Sequence, residues 1–182
     1  MRIFQKLALT LLGAAVFFSC IDGNEKPVID PNPGTGVVIN SNITTNTTWV
    51  TGKVYTLSGR ISVISGVTLT IQPGVIVKGE VGTGSNATAL VIARGAKINA
   101  VGTASSPIIF TTVADEILPG QIASPNLDPV LSGLWGGLII LGNAKGSFAG
   151  DVKEIQIEGI PPSDTNGLYG GDNNEDNSGT LK

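Results

Sequence analysis

The amino-acid sequence predicts an all-β solenoid, wound at about 21 residues per rung. Three observations lead there. With 25 Gly, 10 Pro and a single Met, the composition favours turns over helices. Beyond Gly36, short runs alternate apolar and polar residues with hardly a spacer between them, the period of strands with one buried face. Finally, "TLTIQPGVIV" (Thr68 to Val77) recurs in kind as "ALVIARGAKI" (Ala89 to Ile98), with Leu69 over Leu90, Ile71 over Ile92, Gly74 over Gly95 and Val77 over Ile98.

Residues 1–19 stand apart from that pattern. Arg2 and Lys6 precede Leu7 to Phe18, which are nearly all apolar. Twelve residues at about 1.5 Å each span roughly 18 Å as a helix, short of the roughly 30 Å hydrocarbon core. The segment is expected to be a signal peptide rather than a membrane span. Ser19 and the only cysteine, Cys20, follow it directly, and this placing resembles the lipobox of bacterial lipoproteins. The resemblance implies lipidation of Cys20, with several acyl chains holding the protein to a membrane. Phe17 stands where the family usually has Leu, and an ordinary secretion signal with an incidental thiol is the alternative.

Residues 20–36 read as an extended tether, because Asp22, Glu25 and Asp30 lie among Pro27, Pro31, Pro33, Gly34 and Gly36 and can bury little. An acidic stretch behind a lipidated cysteine resembles the surface-export signal of Bacteroidetes lipoproteins, which implies the outer membrane or cell surface of a Gram-negative bacterium. Loss of residues 1–19 would leave 9 cations against 14 anions, a net charge of −5. No basic patch exists to replace counterions on a phosphate backbone, so no nucleic-acid partner is expected.

Residues 37–182 form the solenoid. "KVYTLSG", "RISVISG", "TLTIQPG" and "VIVKG" follow one another from Lys53 to Gly79, each broken by a glycine. A hairpin meander would need two-residue loops of the Asn-Gly kind, and none separates these runs. The repeat instead predicts equivalent strands stacked at about 4.8 Å, with Gly74 and Gly95 at sharp corners. "VGTASSPIIFTTV" (Val101 to Val113) supplies a further strand; after the loop Ala114 to Gly133, "LWGGLIILGNAKGSF" (Leu134 to Phe148) supplies another, in which Leu138, Ile140 and Gly142 or Asn143 roughly match Leu90, Ile92 and Gly95, two periods on with an excess that the loop absorbs. Solenoids accept such loops because they leave at corners.

Together "VTLTIQPGVIVKG", "GTASSPIIFTT" and "GLWGGLIILGNA" resemble the right-handed parallel β-helix of surface and secreted Bacteroidetes proteins, over roughly Val38 to Lys182. The resemblance implies a fold and a location and carries no catalytic motif. Because the chain stops at "NSGTLK" on an alternating strand without a polar cap, a fragment of a longer protein is expected.

The sequence contains no histidine, which removes His-based triads and His-ligated zinc. Carboxylates remain, but Glu80, Asp151, Glu154 and Glu158 offer no repeat-equivalent pair, and no catalytic residue is nominated. In "KEIQIEG", Glu154, Gln156 and Glu158 read as the solvated face of a strand that buries Ile155 and Ile157. Asp172, Asn174 and Asp176 stand at loop positions one, three and five, the spacing that turns oxygens toward one Ca²⁺, with Glu175 able to complete the set. A solvated turn is the simpler reading of the same residues. Trp135 and Tyr169 sit beside Gly-rich turns, where an exposed ring could stack on a sugar; burial of Trp135 is at least as well supported. Sequons at Asn42, Asn46 and Asn86 read as turn chemistry.

The leading expectation is a non-catalytic surface lipoprotein whose coil is a rigid spacer or binding module for glycan or an envelope protein. The alternative is a carbohydrate-active enzyme of lyase or hydrolase type, with its site in the loops or in further rungs.

Overall fold

The computed structural model describes residues 36–150 and 152–182. The expected signal segment, Cys20 and the expected tether up to residue 35 lie outside the described residues. The chain runs through β1 (Val37–Ile39), β2 (Thr47–Trp49), β3 (Val54–Leu57), β4 (Arg60–Val63), β5 (Thr68–Ile71), β6 (Ile76–Gly79), β7 (Ala89–Ile92) and β8 (Lys97–Ala100). It continues through β9 (Ile109–Thr112), β10 (Gly137–Ile140), β11 (Ile155–Gln156), β12 (Leu168–Tyr169) and β13 (Gly179–Leu181). No α-helix occurs among the described residues.

Strands of two to four residues cannot satisfy their backbone groups locally, so each pairs with a strand far along the chain. Three parallel sheets result, in the orders β1-β3-β6-β9, β4-β7-β10 and β2-β5-β8-β13. From β3 onward the chain visits the first, second and third sheets in rotation. An isolated bridge from Ile43 to Val63 places the chain between β1 and β2 beside the second sheet.

The register differs from the 21-residue superposition. Leu69 pairs with Ile98 in the third sheet, whereas Leu90 pairs with Ile61 and Leu138 in the second. "TLTIQPGVIV" is a strand, a tight turn and a strand joining the third sheet to the first, and "ALVIARGAKI" has the same local form joining the second to the third. The two segments look alike because both corners demand the same chemistry. Gly74 (φ 78°) and Gly95 (φ 79°) each turn through the left-handed region that a side chain disfavours. True partners lie 22 positions apart from Val54 to Ile76 and 29 from Arg60 to Ala89, where residues 80–88 lengthen the connection. Leu138 and Ile140 do correspond to Leu90 and Ile92, but they pair with them directly, where a 21-residue period had set them two rungs apart.

The interior follows from the register. Tyr55, Val77 and Phe110 stack in the first sheet, Ile61 and Leu90 in the second, and Leu69 and Ile98 in the third; the buried members join Trp49, Leu57, Val63, Ile71 and Ile92 in one core. Trp49 and Tyr55 stack with centroids 4.6 Å apart, and the Tyr55 hydroxyl accepts from the Val50 amide. Asn42 and Asn46 extend the ladders with their side chains, accepting from the amides of Ser62 and Thr68 at 2.9 Å.

Two long excursions leave the coil and cover outer faces. Residues 113–136 contact the first sheet, where the Lys78 ammonium donates to the Asp115 carbonyl. Residues 141–178 lie on the second, where Leu141 and Ile160 bury Ala89 and Val91 from outside. All four residues of β7 are therefore buried. β11 and β12 form an antiparallel pair within this second excursion. Its burial differs from the expected alternation: Ile155 is exposed, while the Gln156 amide turns inward and donates to the carbonyls of Ile160, Pro161 and Asp164. Those three carbonyls draw in the polar side chain, and Ile155 takes the solvent side.

Trp135 lies against Gly79, and a Cβ at that glycine would meet the indole ring within contact distance. Gly79→Ala is therefore expected to displace the ring and lower stability by about 1–3 kcal/mol. Trp135→Leu in that background should recover part of the loss, as measured by denaturant unfolding.

Candidate functional site

The second excursion builds a cleft. From β10 the ladder continues through the Leu141 amide, which donates to the Ile92 carbonyl at 2.9 Å. Residues 142–145 then run beside residues 170–176: the Gly170 amide donates to Gly142, the Asn173 amide to Asn143, and the Asn143 amide to the Asp176 carboxylate at 2.8 Å. Phe148 lies over Gly146 and Gly170, where any Cβ would collide with its ring, and stands edge-on to Tyr169 at 5.7 Å. These contacts fix one wall of a cleft of about 620 Å³, lined by Lys145, Ser147, Phe148, Val152, Lys153 and Asp172.

Ion pairs tie this excursion to the coil. Arg94 donates to Glu154 and, at 2.6 Å, to the Gly170 carbonyl; Arg60 Nε donates to Asp164 at 3.1 Å. Within the cleft Lys153 donates to Asp172 at 2.7 Å, and that hydrogen bond, with the carboxylate's charge, raises the ammonium above its ordinary value. Both side chains are exposed, so this pair adds little to stability and salt screens it.

The residues nominated from sequence take distinct places. Asp172 binds Lys153, the Asn174 side-chain oxygen accepts from the Lys145 amide at 3.2 Å, and Asp176 accepts from the Asn143 amide. These three oxygens face three separate donors of the chain, and among the described residues no three acidic, His or Cys side chains gather as a metal-binding group. Tyr169 is half-buried and packs against the small core of Ala89, Val91, Leu141 and Ile160. Trp135 is half-buried at Gly79 and, with Phe110, lines a separate groove. Cys20 lies outside the described residues. Phe148 and its lysines were not singled out by sequence reasoning, although an aromatic among glycines in "AKGSFAG" is the signal that could have found them.

Three further acids hold structure. Glu80 accepts from Ser58 at 2.8 Å, and Asp164 accepts from the amide of Asn166 as well as from Arg60. Asp115 is the buried one. Its carboxylate accepts from the hydroxyls of Thr111 (2.8 Å) and Ser124 (2.7 Å) and the amide of Ile117 (3.0 Å). Burial pushes this carboxyl up, but the Ser124 and Thr111 hydroxyls, the Ile117 amide and the Lys78 charge together hold it below its ordinary value.

Parallel strands in three sheets, visited in rotation and buried on their inner faces, define a parallel β-helix protein. Residues 41–182 match the pectate-lyase-like beta-helix domain family, and the chain belongs to it. Comparison with curated proteins and with solved structures gives no match.

Asp115 yields a pH-dependent expectation. A carboxyl held low in the folded state stabilises it fully above the ordinary value of 3.8, and that contribution disappears as pH falls through the lower folded value. Asp115→Asn turns an amide donor toward at least one of the three donors, at a cost of about 1–3 kcal/mol near pH 7. Denaturant unfolding of both proteins should show the gap narrowing as pH drops below 3.8.

Proposed function

We propose that the protein is a non-catalytic lipoprotein of the outer membrane or cell surface of a Gram-negative bacterium of the Bacteroidetes type. In this reading acyl chains on Cys20 anchor it, residues 20–36 act as a tether, and a right-handed β-helix serves as rigid spacer and binding module. Right-handedness is the strong rule for parallel strands joined by crossovers. Its ligand would be a glycan or another envelope protein.

The observation that carries this reading is the disposition of the acids. Glycoside cleavage of the usual kind needs two carboxyl groups about 5–10 Å apart across a sugar-binding cleft. Here Glu80, Glu154, Asp164 and Asp172 each accept from a different structural partner, and among the described residues Asp172 is the one carboxylate that lines the cleft. Phe148, presented between two lysines in that cleft, offers the face and cations that suit a sugar ring with polar substituents. Asp172, Asn174 and Asp176 would have to exchange their present donors for calcium to act as its ligands.

The second reading, a carbohydrate-active enzyme, is favoured by the family description, which places the domain among pectate-lyase-like helices.

Affinity electrophoresis through gels of neutral and acidic polysaccharides, with calcium and with chelator, tests the proposal. We expect selective retardation that Phe148→Ala reduces about tenfold in apparent affinity, with no new sugar ends released. Loss of retardation in chelator would assign calcium to Asp172, Asn174 and Asp176. Release of reducing or unsaturated ends would overturn the non-catalytic reading; no retardation in any gel by folded protein would remove glycan binding.

A further inference from the structure

The first excursion, residues 113–136, has features that the proposed glycan cleft does not use. It is an ordered loop. The Val113 amide donates to the Gly79 carbonyl on departure and the Gly136 amide to the Thr88 carbonyl on return. Between them Asp115 gathers Thr111, Ile117 and Ser124, and Asn126 bridges the Glu116 amide and the Ala114 carbonyl. Its polar groups thus bind one another, while Leu118, Ile122, Val130 and Leu131 are each more than half exposed. Only Ile117 is driven into the interior.

Fixed apolar side chains facing water have an unfavourable hydration free energy of about 25 cal/mol per Å², and such patches on folded proteins mark docking sites. Beside them, Phe110, Leu127, Leu131, Leu134 and Trp135 line a groove of about 250 Å³. That is below the roughly 300–1,000 Å³ of small-ligand sites and suits anchoring side chains of a partner.

The charge of the segment selects the partner. Residues 113–136 contain no Lys or Arg, and Glu116 and Asp128 are exposed at the surface. An anionic lipid surface attracts cations, so it would be repelled here. A second copy meeting through the same patch would bring like charges together across the two-fold. A protein segment with apolar anchors flanked by Lys or Arg suits both the groove and the exposed acids of the excursion, of which Asp128 directly follows Leu127 in the groove wall.

We propose that the 113–136 excursion and the Phe110–Trp135 groove form a protein-docking surface for such a basic, apolar-anchored segment, independently of whether the Phe148 cleft binds glycan. Because the groove contains Trp135 while Trp49 is buried in the core, indole emission reports occupancy.

The test titrates the full-length protein with three labelled peptides of equal length, built from Leu and Lys, Leu and Glu, or Ser and Lys, and with anionic phospholipid vesicles. The Leu/Lys peptide should bind saturably with a blue shift of Trp135 emission, at least about tenfold tighter than the other two. Leu131→Ser, at an exposed position that leaves the fold intact, should weaken it about tenfold. Glu116→Lys should weaken the Leu/Lys peptide and strengthen the Leu/Glu one. No binding by folded protein, equal binding of the Leu/Glu or Ser/Lys peptide, preference for vesicles, or Leu131-dependent self-association in sedimentation would each overturn the proposal.

Discussion

A strand of three or four residues exposes as many backbone donors and acceptors as it hides, and in this protein those groups are satisfied by a strand a full circuit away. Val54 pairs with Ile76, and Ile76 with Ile109, so the hydrogen bonds run from rung to rung. Side chains on the inner face are then stacked on their own kind, which is why Tyr55, Val77 and Phe110 occupy one column. Register therefore decides burial, and a slip of one residue would turn each inner row outward. Connections are constrained only at their ends, and the chain between Thr112 and Gly137, or Ile140 and Gly179, is free to elaborate.

Elaboration has given the coil unlike sides. Residues 113–136 contact the first sheet, residues 141–178 cover the second, and the third keeps Thr48, Asn99 and Thr180 exposed to solvent. Acids and bases in the excursions act mostly as fasteners: Arg60 and Arg94, both close to the second sheet, reach Asp164 and Glu154 in the excursion above it. The same side chains that suggest chemistry in a list of charged residues here hold loops against strands. Among the surfaces that remain open to a partner are a cleft around Phe148 and an apolar groove around Trp135.

The class of fold was legible because alternation and glycine placement are local consequences of strands and corners. The correspondence of Leu138 with Leu90 was legible too, since the inner row must be apolar in every rung, but their direct pairing was not, because the intervening residues read as two periods. The spacing was not. A strand, a turn and a strand at one corner resemble those at the next corner, so Leu69 appeared equivalent to Leu90 when its partner is Ile98. Gln156 shows a different limit: three carbonyls contributed by Ile160, Pro161 and Asp164 drew it inward and left Ile155 outside, while Ile157, Glu154 and Glu158 keep the expected sides. Likewise the spacing of Asp172, Asn174 and Asp176 was visible, whereas the donors that engage them, Lys153 and the amides of Lys145 and Asn143, come from a distant part of the chain. The aromatic core pair Trp49 and Tyr55 could not be foreseen, because its members belong to different sheets.

Rung-to-rung hydrogen bonding also gives the molecule a mechanical direction. A pull along the coil axis at the residue 36 end acts on the ladder between β1 and β3, only three residues wide, and detaches one rung before the next bears tension. A sideways pull on the second excursion instead loads the Arg60 and Arg94 attachments together with the ladders of the second sheet. The coil is thus compliant when peeled from its first rung and stiff when loaded from that flank.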